Sequence, residues 1–543
     1  MTRNASAAYG YVIGVDVGTG SARAGVFSMA GRLIASETCA IEVYRDGTFV
    51  EQSSKDIWKA VSASVRGALD VASVRAEDIR GIGFDATCSL VVLGPEGQPL
   101  PVGDPAHPER NVIVWMDHRA VEQAERINRT GHRVLDHVGG RISPEMETPK
   151  LLWLRENRPE TYDRAWQFLD LTDFLTWRAS GDLARSICTV TCKWTFLAHE
   201  RGWDRSFFET AGLGDLAVGN FERIGARVVE AGSALGSGLT AQAATELGLC
   251  AGTPVAAGLI DAHAGGIGTV GARDGGGAEA NLAYVFGTSS CTMTTTREPV
   301  FVPGVWGPYF SAMVPGMWLN EGGQSAAGAA IDQLLEFHPY AATAHQHAAA
   351  NGQSLPSWLA DQAAQILEQR DADPVQMAKG VHVVPEFLGN RAPHADPHTR
   401  AVVAGLGMDR DLENLVVLYI AGLCGIGYGL RQIIGAKASV GAPIRQIAIS
   451  GGAGRSTFIR QLLADATGVQ IAVPATEEPV LLGAAILGAV AAGVYPDTPT
   501  AMAEMSSFAG RFEPKGPEIA ALHTARFEIF EQLQSVARRA SQV

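Results

Sequence analysis

The pattern of apolar and polar positions predicts two β-hairpins in distant parts of the chain. Residues 12–27 place two runs of apolar and small residues around a Gly-Thr-Gly-Ser turn, and residues 282–294 repeat this around Gly-Thr-Ser-Ser. Glycines let the backbone of such a turn approach a ligand, and its successive N–H groups attract an anion. The repetition predicts two similar domains that hold one polyphosphate from opposite sides, although an ordinary tight turn explains either hairpin alone.

The polar residues of the two turns are the candidate ligands of a phosphate and a metal ion. Asp16 comes before the first turn and offers a carboxylate to Mg²⁺, and Arg23 follows the turn with a fixed positive charge. The predicted phosphate contacts are Gly18, Thr19, Gly20, Ser21 and Arg23 in the first hairpin and Gly287, Thr288 and Ser289 in the second. Neither turn is a P-loop, since the Gly-Lys-Ser/Thr motif is missing from the sequence.

The rest of the pattern predicts alternating strands and helices. In the first half, strands are expected over 32–43 and 254–260, together with two short strands within 79–93 and one that begins at 112. Helices are expected over 54–72, 146–157 and 159–180, together with one that ends at 128. The order strand, strand, strand, helix, strand is expected of an actin-like, ribonuclease H-like α/β domain. In the second half, a strand over 445–450 enters a glycine turn at Gly451 and Gly452, and helices follow over 457–467 and from 478.

Length, composition and net charge limit the classes of protein to which this chain can belong. A chain of 543 residues implies two or more domains, and the glycine-rich stretch 271–277 predicts a hinge, so the domains are expected to span 1–274 and 275–543. The net charge of −14 argues against nucleic acid as a partner. Residues 1–9 lack the apolar core of a signal peptide, and we expect no membrane span.

The seven cysteines are too few for a disulfide framework in a chain of this length, which favours a reducing cytoplasm. Cys188 and Cys192 have the spacing of a helix face or a strand, but no second pair follows to complete a zinc site.

Together these motifs resemble the FGGY carbohydrate kinases over nearly the whole chain. The matching segments, in the family's order, are 16–23, 149–154, 261–265, 287–289, 321–325, 405–406, 450–452 and 482–485. The family's second signature, around 405–422, is only partly met. The resemblance implies two actin-like domains with a cleft between them, and transfer of the γ-phosphate of MgATP to a sugar hydroxyl.

Within that family, residues 87–91, Thr-Cys-Ser-Leu-Val, resemble the signature of D-ribulokinases, and residues 144–150 indicate the same branch. The implied reaction converts D-ribulose to D-ribulose 5-phosphate. L-ribulose, another ketose or a pentitol stays open as the substrate, because a few hydrogen bonds separate such sugars. A protein of another class, a nucleotide-driven switch of the actin or chaperone-ATPase kind, would share the fold and both hairpins. Such a protein would not need a catalytic base for a sugar hydroxyl.

The resemblance also assigns roles to individual residues. Asp261 matches the catalytic base, Asp16 is expected to reach Mg²⁺ through water, and Gly451 and Gly452 are expected to abut the adenosine. The residues expected to contact the sugar are Thr87, Cys88, Asp117, Lys193, Asp261 and Glu321. The ordinary structural alternatives are a helix N-cap for Asp261, a surface position for Lys193 and a strand-end acid for Glu321. His263 is expected to pack or to line the cleft, and a homodimer is left open.

Overall fold

The computed structural model describes residues 10–302 and 304–542, so the signal-peptide expectation for residues 1–9 lies outside the described residues. The N-terminal half is built on a five-stranded sheet. Its strands, in spatial order, are Leu259–Ile260, Ile79–Ala86, Tyr11–Val17, Ser21–Ser28 and Leu33–Ala40. The last three form an antiparallel meander, and the first two run parallel to Tyr11–Val17. This is the predicted arrangement.

The C-terminal half repeats the arrangement in a seven-stranded sheet. Its order is Trp306–Phe310, Trp318–Gln324, Ser290–Thr296, Asn281–Phe286, Gln446–Ser450, Gln470–Pro474 and Phe508–Phe512. The inner five strands again combine an antiparallel meander with two parallel neighbours, and an antiparallel strand is added at each edge. Two similar α/β domains are therefore confirmed. The first sheet's last strand ends at Ile260 and the second sheet's first begins at Asn281, with Asp274 between them.

Helices and smaller sheets complete the two halves. The helices of the first half are Ser54–Ala72, Val121–Asn128, Glu147–Asn157, Pro159–Arg164, Leu171–Ser180, Ile187–Lys193, Arg205–Thr210, Gly214–Val218, Ala241–Leu247 and Asp261–Ile267. Those of the second half are Gly328–Glu336, Ala341–Ala350, Leu355–Arg370, Pro374–Met377, Leu412–Ser439, Thr457–Thr467, Pro479–Ala491, Thr498–Met505 and Pro517–Ala540. The smaller sheets contain Tyr44–Asp46, Phe49–Gln52, Val112–Ile113, Leu90–Leu93 and Gln167–Asp170; Arg185–Ser186 and Val228–Val229; and His382–Val384 and Val402–Ala404.

Local signals predicted some elements closely. The helices Ser54–Ala72 and Thr457–Thr467 have the expected bounds, and the Ser53 hydroxyl accepts a hydrogen bond from the Asp56 N–H at the first helix's start. The expected helix over 159–180 is wrong, because Gln167–Asp170 forms a strand that pairs with Leu90–Leu93 between two shorter helices. There, pairing with a strand that is distant in the sequence outweighs the helical pattern of the local residues.

The longest helix, Leu412–Ser439, was not expected from the sequence. By length and composition it could cross a membrane, but 78% of its most apolar window is buried inside the protein. It packs against the Gly328–Glu336 and Thr457–Thr467 helices in the C-terminal core. Packing within the domain therefore accounts for its apolar character.

A helix from the second half joins the two domains by packing on the first sheet. Pro479–Ala491 crosses the strands Tyr11–Val17 and Ile79–Ala86, where glycines let its backbone come close. A Cβ atom on Gly14 would lie 1.9 Å from the carbonyl oxygen of Leu481. Only glycine fits at this crossing.

We therefore expect Gly14→Ala to destabilise the protein by at least about 2 kcal/mol, because the helix must shift to relieve the clash. Urea unfolding of both proteins measures the difference. Gly435→Ala is the control, since Gly435 lies in a helix with open space around it and alanine favours helix by about 1 kcal/mol. Equal stability of the Gly14 variant and the wild type would contradict the close packing.

Candidate active site

The turns and strand ends of both halves surround one cavity of about 340 Å³. It brings together most of the residues predicted from the sequence. Those in its wall are Asp16, Gly18, Thr19, Arg23, Thr87, Cys88, Lys193, Asp261, Gly287, Thr288, Ser289 and Glu321. A second cavity of about 820 Å³ lies in the C-terminal half and shares Gly287 and Thr288 with the first. The second hairpin turn therefore stands between two adjoining spaces.

Three aspartates meet at the ends of neighbouring parallel strands. Asp16 and Asp85 are partners in the strand register, and Asp85 also pairs with Leu259, two residues before Asp261. Asp85 is fully buried, and no hydrogen-bond partner within 10–302 or 304–542 reaches its oxygens. Burial and the charge of Asp16 raise its pKa well above the usual range. Such a concentration of hard oxygen donors fits a hydrated Mg²⁺ ion.

Asp261 is the first residue of the Asp261–Ile267 helix and lines the cavity. The helix N-cap is Ile260, and among residues 10–302 and 304–542 the Asp261 carboxylate accepts a hydrogen bond only from the neighbouring Ala262 N–H, at 2.7 Å. Burial and the charge of Asp16 raise its pKa to about 6. A carboxylate held at the cavity wall with a free oxygen can accept a proton from a bound hydroxyl.

Arg23 is tied to two carboxylates. Its guanidinium donates to Asp16, with Nε at 2.9 Å, and to Glu478 at 2.6 Å. Burial opposes its charge, yet Asp16 and Glu478 raise its pKa further. Arg23 therefore fixes Asp16 and links the first hairpin to the start of the Pro479–Ala491 helix.

Two buried residues of opposite charge, Lys193 and Glu321, also line the cavity. Lys193 ends the Ile187–Lys193 helix and is buried, so the surface alternative for this lysine is wrong. Burial opposes its charge, but neighbouring acidic groups, Cys88 and Glu321 among them, raise its pKa well above the usual range. Glu321 lies inside the strand Trp318–Gln324 rather than at its end. Burial would raise the pKa of Glu321, but Lys193 and His263 lower it to about 2.

His263 lies directly behind Glu321, as a buried packing residue. Its Nε2 is 3.3 Å from Glu321 Oε2, and its Nδ1 is 3.1 Å from the Sγ of Cys188. Burial alone would lower its pKa, but Cys188 and Glu321 raise it to about 10. Burial also opposes ionisation of Cys188, while Cys192 and His263 lower the pKa of that thiol to about 5. The Cys188 thiol and the His263 imidazole therefore favour each other's charged forms next to the Glu321 carboxylate.

Several other residues of the cavity wall have no role in the predictions from the sequence. Trp306 lies under two cations, with Lys193 Nζ 5.0 Å and the Arg391 guanidinium carbon 5.5 Å from its ring centre. Trp115 donates its indole N–H to the Thr19 hydroxyl at 3.0 Å and so connects the wall to the first turn. Glu145 also lines the cavity. Trp306 begins the strand Trp306–Phe310 and Arg391 lies in a loop, both in the C-terminal half, and no local motif marks either residue.

The predicted sugar contact at Asp117 requires correction. Asp117 is fully buried and is not part of the cavity wall. Its oxygens accept hydrogen bonds from the Val50 N–H at 2.6 Å and from the Arg119 side chain at 2.7 and 2.8 Å. Arg119 also donates to Glu51 at 2.8 Å. Asp117 therefore belongs to a buried ion-pair network.

Four predicted nucleotide contacts, Gly20, Ser21, Gly451 and Gly452, also lie outside the wall of the first cavity. Gly20 and Ser21 belong to the first hairpin, where the Gly20 carbonyl accepts from the Ile41 N–H and Ser21 pairs with Ala40. Gly451 has a φ of 89° and packs on the backbone of Phe286. Its neighbour Gly452 lines the second cavity.

The second cavity has the size and lining of a nucleoside site. Besides Gly287, Thr288 and Gly452, its wall contains Phe286, Gly328, Ala329, Ile331, Asp332, Ser354, Pro356, Ser357, Ala360, Asp361, Tyr419, Leu423, Arg455, Ser456, Thr457 and Ile459. Apolar surfaces and hydroxyl groups are mixed there. A nucleoside in this cavity could extend its phosphates across the second hairpin turn towards the aspartates.

Comparison with known proteins gives the same assignment for both halves. The N-terminal domain model of the FGGY family of carbohydrate kinases matches residues 11–268, and the C-terminal domain model matches residues 282–492. A human FGGY carbohydrate kinase domain-containing protein is 46% identical over 507 residues, with 91% of each chain covered. A D-ribulokinase of Saccharomyces cerevisiae is 38% identical, covering 89% of this chain and 72% of its own length.

The fold is also found among solved structures. The ligand-bound xylulose kinase of Lactobacillus acidophilus superposes with a TM-score of 0.79 and 20% identity, covering 97% of this chain and 98% of its own. At that identity the similarity supports the two-domain fold alone.

Proposed function

Because the chain belongs to the FGGY family of carbohydrate kinases, we propose that it is the member that transfers the γ-phosphate of MgATP to D-ribulose. The product is D-ribulose 5-phosphate. One observation carries the proposal: Asp261 lines a single cavity together with residues of both hairpin turns and with Lys193 and Glu321. A phosphate donor and a polyol acceptor can therefore meet at one carboxylate.

In this proposal the residues have separate tasks. The turns at Gly18–Thr19 and Gly287–Ser289 hold the phosphates, while the N–H groups of Gly18 and Gly287 close the turns by donating to the Ser21 and Ser289 carbonyls. Glu321, ionised between two cations, accepts hydrogen bonds from adjacent sugar hydroxyls, and Lys193 donates to the oxygens of the ketose. Asp261 orients the terminal hydroxyl and accepts its proton as the phosphoryl group is transferred.

A magnesium ion supplies charge neutralisation for the phosphates when it is bound. Asp16 would hold it, through water, beside Asp85 and Asp261. Arg23 keeps Asp16 in place by a two-point contact. The aspartate cluster is otherwise short of positive charge, which favours a divalent cation there.

The choice of D-ribulose rests on the relatives and on the Thr87–Cys88 segment. The yeast relative at 38% identity carries the name D-ribulokinase. Thr87 and Cys88 line the same cavity as Lys193, so this segment can contact the sugar. L-ribulose and other ketoses differ from D-ribulose at positions that these few contacts must distinguish.

ADP release from the purified protein with MgATP tests the proposal. The panel contains D-ribulose, L-ribulose, D-xylulose, L-xylulose, ribitol, arabinitol and glycerol. We expect the highest kcat/KM with D-ribulose. A higher value with another polyol would retain the kinase and refute the substrate, and hydrolysis independent of any sugar would indicate an actin-like or chaperone-like switch.

We expect Lys193→Met to raise the KM for the ketose by about 10- to 100-fold, because it removes a charged hydrogen-bond donor from a buried site. The KM for MgATP should change little. Steady-state kinetics with each substrate varied in turn measures both values. Lys379→Met, at an exposed position, is the matched control. An unchanged ketose KM in the Lys193 variant would remove this residue from the sugar site.

We also infer a cytoplasmic location. All seven cysteines are free in the structure, and four of them, Cys88, Cys188, Cys192 and Cys291, lie at or near the cavity. A reducing compartment keeps such thiols available. Cell fractionation tests this location.

A further inference from the structure

Behind the sugar cavity lies a buried cluster of two thiols and one imidazole. The Sγ atoms of Cys188 and Cys192 and a ring nitrogen of His263 all lie within 4.8 Å of one another. The two cysteines are one turn apart on the Ile187–Lys193 helix, and His263 comes from the Asp261–Ile267 helix. We propose that Cys188, Cys192 and His263 form a binding site for one Zn²⁺ ion.

The ligand atoms are close to the arrangement that zinc requires. Tetrahedral Zn²⁺ with thiolate and imidazole ligands keeps its ligand atoms roughly 3.6 Å apart. Cys188 Sγ and His263 Nδ1 are already 3.1 Å apart, so small side-chain rotations suffice. All three residues are fully buried, which removes the competition of bulk water for the ion. The fourth position would be left to water, since three protein ligands converge within the described residues.

The surroundings of the cluster match those of a zinc-bound histidine. A metal-ligating histidine usually directs its other ring nitrogen to a carboxylate, which fixes the ring and the tautomer. Here His263 points Nδ1 at the thiols and Nε2 at Glu321, 3.3 Å away. The backbone N–H of Ile260 also points at the sulfur of Cys188, at 3.5 Å. Both contacts would hold the ligands in place with the ion bound.

The donor set separates this site from the aspartate cluster. Thiolate and imidazole groups prefer zinc and other soft or borderline metals, whereas Mg²⁺ prefers oxygen. The ion can reach the cluster through the sugar cavity, because Glu321 lies in the wall of that cavity and contacts His263. The inference does not depend on which sugar the enzyme phosphorylates.

Metal titration of the reduced, chelator-treated protein tests the site directly. Cd²⁺ serves as the spectroscopic probe, because cadmium thiolates absorb in the ultraviolet, and a chromophoric chelator competing for Zn²⁺ gives the affinity. We expect one ion per chain with the absorption of two thiolates. Cys188→Ser and Cys192→Ser should each weaken Zn²⁺ binding by more than about 100-fold, and Glu321→Gln by about 10- to 100-fold.

Cys39→Ser and Cys250→Ser are the matched controls, since both cysteines are partly exposed and lie outside the cluster. They should bind Zn²⁺ as the wild type does. If Cys188→Ser does not fold, the wild-type stoichiometry and the loss of one thiolate's absorption in Cys192→Ser decide the question. The proposal is refuted if the reduced wild type binds no ion, if the two serine variants bind as tightly as the wild type, or if thiol counting finds Cys188 and Cys192 joined in a disulfide under the same conditions.

Discussion

Asp261→Asn is expected to lower kcat by about 10³- to 10⁴-fold, the usual contribution of a positioned general base. Asparagine keeps the shape of the side chain and can still accept the hydrogen bond of the Ala262 N–H, so the fold should not change. It cannot accept the proton of the sugar hydroxyl. The second cavity, in which we propose that the nucleoside binds, does not include Asp261. The affinity for ATP should therefore stay within a few-fold of the wild type.

Rapid-quench measurement of product formation gives the rate, and isothermal titration gives nucleotide binding. Asp46→Asn is the matched control, because it makes the same change at an exposed strand position. It should retain wild-type kinetics. Turnover of the Asp261 variant within tenfold of the wild type would exclude Asp261 as the base. Loss of ATP binding would instead show that the substitution disturbs more than the proton transfer.

The hairpins and the place of Asp261 at the end of a buried strand were predictable because their signals are local. Turn glycines, an acid beside the turn and an acid after a buried strand are adjacent in the sequence. The two sheets then carry these residues to one cavity, since corresponding strand ends meet at the same edge. The strand at Gln167–Asp170 was missed because its partner Leu90–Leu93 lies far away in the chain.

Other features of the site could not be found from the sequence because they depend on long-range packing. Trp306 and Arg391 become cavity residues only when the second domain folds against the first. The Cys188–Cys192–His263 cluster needs two helices brought together, so the sequence showed one cysteine pair and no partner. The burial of Lys193 follows from its place at the end of a short helix, with its ammonium group over the Trp306 ring. Conversely, the segment around Asp117 does match the family's motif, but the Asp117 carboxylate faces the interior of the protein and not the cavity.

The inward orientation of Asp117 leads to a large expected loss of stability in Asp117→Ala. The substitution leaves the Arg119 guanidinium buried with Glu51 as its remaining carboxylate and leaves the Val50 N–H without its partner. Breaking a buried ion pair in this way costs about 3–5 kcal/mol. Urea unfolding followed by circular dichroism should show this difference in the free energy of unfolding.

The same variant separates a structural role from a sugar contact. At low temperature, where the variant stays folded, the KM for the ketose should remain within a few-fold of the wild type, because Asp117 does not reach the cavity. Asp78→Ala is the control for stability, since it breaks the exposed pair with Arg75 and should change the unfolding curve little. Wild-type stability with a strongly raised ketose KM would instead place Asp117 in the sugar site. The buried hydrogen bonds to Arg119 and Val50 favour the first outcome, because both carboxylate oxygens are already occupied.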